Sequence, residues 1–139
     1  MNTDDLYKRL QQENIHYINK KLFLTPGAIV HYENITAIVV DKEQIKNSTH
    51  ENTIIIQEFG HYLAHSYYKS NDPYETINDM EQSADIAAWN EFFPYQEVKQ
   101  LINNGISTAT EIANYFNVNS DYIARCLDYY YDISDGFKK

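Results

Sequence analysis

Cysteine is nearly missing from this chain: Cys126 is the single one among 139 residues, so no internal disulfide can staple the fold. That scarcity, with opening residues Met1-Asn2-Thr3-Asp4-Asp5 that lack a secretory pattern, predicts a cytoplasmic, reducing environment. Long apolar runs are absent too. No stretch approaches the ~20 residues needed to span a bilayer, so a membrane is not an expected partner. Positive charge is also in short supply, with 11 Lys and Arg against 20 Asp and Glu and a formal net charge of -9. The basic runs are no longer than Lys20-Lys21 and Lys138-Lys139. A chain of this kind has no electrostatic footprint for a phosphate backbone, and direct nucleic-acid binding is not expected. Repeats and low-complexity linkers are lacking as well.

What is present is enough apolar material, 43% of the residues, to build one core. A single domain over residues 1–139 is expected. Thr3 or Asp4 can cap a first helix that carries Leu6 and Leu10 on one face and ends near Asn14. After Pro26-Gly27 come two β-branched runs, Ala28 to Tyr32 and Ile35 to Val40, which read as a hairpin joined at Glu33-Asn34. Polar residues from Asp41 to Asn52 read as loop. A helix from about Thr53 to Tyr68 follows, with Ile55, Phe59, Tyr62 and Leu63 spaced for burial. Asn78 followed by Glu81 has the pattern of a capping box, which predicts a further helix from Asn78 to Phe93. Pro94 opens the next one, ending at Asn103 before Gly105. Two short helices around Asn117-Val118-Asn119 complete a helix-rich α+β domain.

The most informative run is Gln57-Glu58-Phe59-Gly60-His61. It reads as the zinc-protease helix motif H-E-x-x-H with glutamine in place of the first histidine. In the full motif two histidines one turn apart hold the metal, and the glutamate activates the metal-bound water as general base. Here Glu58 and His61 stand in the base and second-ligand places. Gln57, His61 and His65 are spaced one turn apart on one helix face, so His61 and His65 also form an i, i+4 pair. By itself the string can equally be a solvated Glu58–His61 pair on an amphipathic helix. Gly60 suits close approach of another segment, at about 1 kcal/mol of helix propensity.

With the stretch Ile54 to His65, the chain resembles the ImmA/IrrE family of metallopeptidases, whose helix reads H-E-(Leu/Phe)-G-H-(Tyr/Phe)-L-L-H. Glu81-Gln82-Ser83-Ala84-Asp85-Ile86-Ala87-Ala88 is similar to that family's E-x-x-A-(Asp/Asn)-x-(Phe/Ala)-A segment. Phe92-Phe93-Pro94 loosely matches a Leu-Met-Pro-like stretch. Glu111-Ile112-Ala113-Asn114-Tyr115-Phe116-Asn117-Val118 and Arg125-Cys126-Leu127 fit its helical tail. Together these cover roughly Ile35 to Tyr131, and the order of several weak motifs carries the likeness.

The resemblance implies a zincin-like core over about residues 1–105, with a small sheet beside the active-site helix, and a helical, helix-turn-helix-like tail over about 106–131. It implies a zinc endopeptidase of phage or mobile-element type that inactivates a helix-turn-helix repressor by proteolysis. Glu58 would be the base and His61 and Glu81 metal ligands, with Gln57 in the remaining ligand place. A neutral amide oxygen is a poorer zinc ligand than imidazole. The alternative is a pseudo-protease that regulates such a repressor by binding alone. His65 would hydrogen-bond at the rim, and Asp85 would act as a supporting carboxylate, with replacement metal ligand as its second reading. For the oxyanion, Tyr67, Tyr68 and Tyr74 all remain open. Arg125 among Asp121 and Asp128 is too little positive charge for a DNA reader, so the tail reads as a packing or protein-recognition module. The acidic, tyrosine-rich stretch Asp128 to Asp135 suits a basic partner.

Overall fold

Asn2 caps the first helix, α1 (Thr3–Gln12), by accepting from the Asp5 N–H while Asp5 reaches back to the cap. The capping box therefore starts one residue ahead of Thr3, and Leu6 and Leu10 are buried as their spacing predicts. The computed structural model describes residues 1–68 and 71–134; Asp135 and Lys138-Lys139 lie outside them. A short strand the sequence reading did not include, β1 (Ile15–Asn19), follows α1 after Asn14, which takes a left-handed turn at φ 57°. Then come β2 (Gly27–Tyr32) and β3 (Ile35–Val40), a hairpin whose turn residues Glu33 and Asn34 both have positive φ, as the tight two-residue turn demands. The three-stranded sheet has the order β1-β3-β2, with β1 parallel and β2 antiparallel to the central β3. Parallel pairing of β1 depends on a contact distant in sequence, which local hydropathy does not encode.

Helix α2 (Ser48–Ala64) starts at Ser48, not Thr53, because Asn47 accepts from the His50 N–H and opens it inside the polar stretch read as loop. It also ends earlier than Tyr68: His65 leaves helical geometry at φ 51°. Helix α3 (Tyr74–Phe92) begins after Pro73, so Asn78 lies inside it and the capping box with Glu81 does not exist. Proline at the cap supplies the extended backbone that a helix start needs. Helix α4 (Tyr95–Asn103) follows Pro94, and α5 (Ala109–Phe116) and α6 (Ser120–Ile133) flank Asn117 as expected.

Most of the core is shared by all of these elements. Ile38 and Val40 of β3, Ile54, Ile55, Ile56 and Phe59 of α2, Trp89 of α3, Phe116 of α5 and Tyr130 of α6 belong to one buried cluster. The chain is thus an α+β domain in which α2 lies on one face of the sheet and α3 packs along α2. Glycine sets that last contact. A Cβ on Gly60 would sit 2.2 Å from the Ala84 carbonyl oxygen and 3.0 Å from the Ala88 Cβ, so the two helices touch backbone to backbone. Among the described residues, no helix is long and apolar enough to cross a membrane.

Candidate functional site

Close packing of α2 on α3 brings two sets of polar side chains to one place. Gln57, Glu58 and His61 come from α2, and Glu81 and Asp85, one turn apart, come from α3. They line a cleft of about 470 Å³ together with Thr25, Gly27, Ala28 and Ile29 at β2, Ser66 and Tyr68 past α2, and Arg125 of α6. The Gln57, Glu58, His61, Glu81 and Asp85 cluster expected from the sequence is therefore assembled in space.

The end of α2 fixes the histidine. His65 takes the left-handed position after the helix, and the Ser66 N–H returns to the His61 carbonyl at 3.0 Å, a Schellman-type turn. That turn places the Ser66 carbonyl 2.7 Å from His61 Nδ1. A carbonyl can only accept, so Nδ1 carries hydrogen and Nε2 is the nitrogen that faces the cleft. His61 Nε2 stands 3.4 Å from Glu81 Oε1. His65 itself is exposed and outside the cleft lining, so it makes no rim contact with the site, and its i, i+4 pairing with His61 is lost with the helix. It acts through its backbone.

Among the three tyrosines, Tyr68 is the one in the cleft, and its hydroxyl donates to Glu81 Oε1 at 2.5 Å. Tyr67 stacks on His31 with ring centroids 4.5 Å apart, and Tyr74 is 80% exposed. Asp85 accepts from Arg125 Nη1 at 2.8 Å. Ser66, Arg125 and the β2 edge were not site candidates in the sequence. Arg125 lies within the Arg-Cys-Leu stretch matched to the family tail, which was the available hint.

Electrostatics differ across this small space. Burial pushes the Glu58 carboxyl up to about 7, with His61 opposing and Glu81 and Asp85 adding to the rise. Burial likewise raises Asp85 despite Arg125. Glu81 is held below the usual range, first by the hydrogen bond with His61 and then, against burial, by Tyr68. For His61, burial works against protonation, yet Glu81 and the Ser66 carbonyl outweigh it and the imidazole is raised. The cleft can therefore present an ionised carboxylate and a carboxyl near neutrality to a bound group, the pairing that acid–base chemistry uses.

A metal is the natural question for this donor set. His61, with Nδ1 engaged and Nε2 aimed at Glu81, has the orientation of a metal-binding histidine. In the remaining ligand place of the motif stands the neutral amide of Gln57, while Asp85 is engaged by Arg125. Among the described residues, no group of three or more His, Cys, Asp or Glu is placed to hold a metal ion. A catalytic zinc site takes three strong protein ligands plus an open position. These residues fall one short and do not fit a tightly held zinc.

A helix bearing a glutamate and a histidine beside a sheet edge, crossed by a second helix that supplies another glutamate, defines a protease-like domain. Residues 10–127 match the family model described as IrrE N-terminal-like domain, and the chain belongs to that ImmA/IrrE peptidase family. No curated protein and no solved structure matches the chain.

Proposed function

We propose that this protein captures an extended segment of a helix-turn-helix repressor in its acidic cleft and inactivates the repressor by holding it. One observation carries the reading: β2 is an edge strand of the sheet, and it forms the wall of the cleft that faces Glu58, His61 and Glu81. An edge strand offers unpaired N–H and C=O groups to which an extended polypeptide can add as a further strand. The family likeness supplies the class of partner, and the net charge of -9 suits a protein that must be basic to bind DNA. Gln57 is the reason capture comes before cutting, because it leaves the donor set short of a catalytic zinc site.

Hydrolysis is the second reading, favoured by the retention of Glu58 inside the cleft beside His61 and Glu81. Its parts would be Glu58 as general base, His61 and Glu81 as strong donors, and Tyr68 beside the developing oxyanion. Mixing the purified protein with helix-turn-helix repressors from the same genome, with and without added zinc, separates the two readings. Native mass spectrometry is expected to find an intact complex and no fragments, whereas Gln57→His is expected to bind about one zinc and produce fragments. Cleavage by the unmodified protein that disappears in Glu58→Gln would establish hydrolysis instead. If neither complex nor fragments form with any repressor, the reading fails.

A further inference from the structure

The sheet has a second face, on which several apolar side chains are exposed among the described residues. Gly27 abuts α2, since a Cβ there would meet Ile54 Cγ2 at 2.3 Å, so Gly27, Ile29 and His31 point toward the helix and Ala28, Val30 and Tyr32 point away. Register then fixes the rest of the outer face: Ile18, Val39 and Ala28 form one row, His16, Ala37 and Val30 the next, and Ile35 pairs with Tyr32 in the last. Val39 and Ala37, in the central strand, are shielded by their neighbours, but Ile18 is 43% exposed, Val30 51%, Ile35 60% and Tyr32 71%. The loop before β2, at the Val40 end of the sheet, also exposes Phe23 and Leu24, at 89% and 99%.

That loop is firmly held. The Leu22 N–H donates to Asp41 Oδ2 at 2.9 Å, and Gln44 Nε2 donates to the Leu22 and Thr25 carbonyls at 2.9 and 3.2 Å. An exposed apolar sheet face on an otherwise polar protein marks an interaction surface.

We infer that a second copy of this chain covers the outer sheet face, forming a two-fold dimer in which the two sheets pack face to face with antiparallel strands. Charge chooses the partner. The three rows hold no Asp, Glu, Lys or Arg, and His16 is their one titratable residue, although the chain as a whole carries -9. Two such chains repel over most of their surfaces and can approach on this neutral one. The two ends of the face are of opposite sign. Lys20 and Lys21 follow β1 at the Val40 end, and Glu33 sits in the hairpin turn at the Ile35 end, all three exposed. A two-fold axis lying between the sheets and perpendicular to the strands sets each lysine pair over the other copy's Glu33. Aligned sheet packing of this kind places the sheets ~10 Å apart.

Size bounds the strength. Strands of about six residues at ~3.3 Å rise and ~4.8 Å spacing give a face of roughly 300 Å². With Phe23 and Leu24 the buried area stays below the ~800 Å² per partner of a standard interface, so the dimer is weak and concentration-dependent. Of the outer-face residues only Ala28, on the edge strand, also lines the cleft; Gln57, Glu58 and His61 belong to α2, which packs on the opposite face of the sheet.

Sedimentation velocity of the full chain from about 5 to 500 µM tests the inference, a range matched to an interface smaller than the standard. A monomer–dimer equilibrium is expected. Val30→Lys should abolish it, and Lys20→Glu with Lys21→Glu should weaken it about tenfold through like charges facing Glu33. Adding Glu33→Lys to that pair should restore it, which a merely misfolded variant would not do; far-ultraviolet circular dichroism checks the fold of each. A monomer throughout the range overturns the inference. So does a dimer indifferent to Val30→Lys, or a repressor that binds the unmodified monomer through this face.

Discussion

In its first turns α2 carries Asn52, fully buried, which accepts from Thr3 Oγ1 at 2.7 Å and donates to the Asn117 carbonyl at 3.0 Å. Thr53 beside it donates to the Thr49 carbonyl and accepts from the Asn119 N–H, each within 2.9 Å. Further along, the same helix carries Glu58 and His61, whose shifted protonation comes from burial and from charges on α3. The first group ties α1 and the α5–α6 turn to α2 with neutral, satisfied hydrogen bonds. The second concentrates charge at a cleft. Polar residues of one helix thus divide between holding the fold and confronting a ligand, and substitutions should separate the two. Gly60, where α2 and α3 touch, joins them.

Gly60→Ala should have the largest effect. Its methyl group would lie 2.2 Å from a backbone oxygen, and only separation of the helices relieves that. A loss of more than about 3 kcal/mol, or no soluble folded protein, is expected on urea titration, and the gain in helix propensity is too small to offset it. A near-normal midpoint would mean that α2 and α3 pack less closely than described, and the shared cleft with them. Next comes Asn52→Ala, expected to cost about 1–3 kcal/mol, because it leaves the part-buried Asn117 carbonyl without its donor. Binding at the cleft should survive in whatever fraction remains folded.

Glu58→Gln reverses the pattern. Removing a carboxyl whose burial opposes ionisation should change stability by less than about 1 kcal/mol, or raise it, while impairing whatever the cleft does to its partner. Calorimetry beside the repressor assay reads both quantities. A destabilised Glu58→Gln with normal partner inactivation would place Glu58 among the scaffold residues and erase the division.

Sequence reading reached the cleft more surely than the boundaries around it. Ile54-Ile55-Ile56 and Phe59 announce α2 by hydropathy, and Gly60 beside Ala84 and Ala88 announces a close helix pair. The start of α2 stayed hidden because Ser48 to Asn52 is polar, and burial of Asn52 depends on partners 49 and 65 residues away. The apparent Asn78–Glu81 box failed because Pro73 starts the helix upstream and α3 simply runs through it. Ser66 was illegible for a related reason: its part in the site comes from the left-handed turn at His65, a position sequence reading kept inside the helix. Arg125 meets Asp85 across 40 residues of chain, and the β2 edge faces the cleft only through tertiary packing.

Carboxylates extend the contrast to pH, with opposite signs for scaffold and cleft. Asp41 caps the short helical turn Lys42–Gln44 and accepts from Gln44 Nε2 and from the Leu22 and Glu43 N–H groups. The Gln44 bond, followed by that of Leu22, holds its carboxyl below the usual range. A group whose pKa is lower in the folded than in the unfolded state contributes stability above its unfolded value, about 3.9, and loses it as pH falls through the folded one. The Asp41 contribution is therefore complete at neutral pH and fades in the acid range below about 4. Glu58 and Asp85, raised by burial, contribute with the reverse sign: protonation relieves them, and folding gains as pH falls from their folded values toward their unfolded ones. Urea midpoints of the unmodified protein and Asp41→Asn, measured from neutral pH into acid, should converge as Asp41 takes up its proton. Curves that stay parallel to the lowest pH would mean that the loop presenting Phe23 and Leu24 does not depend on the Asp41 charge.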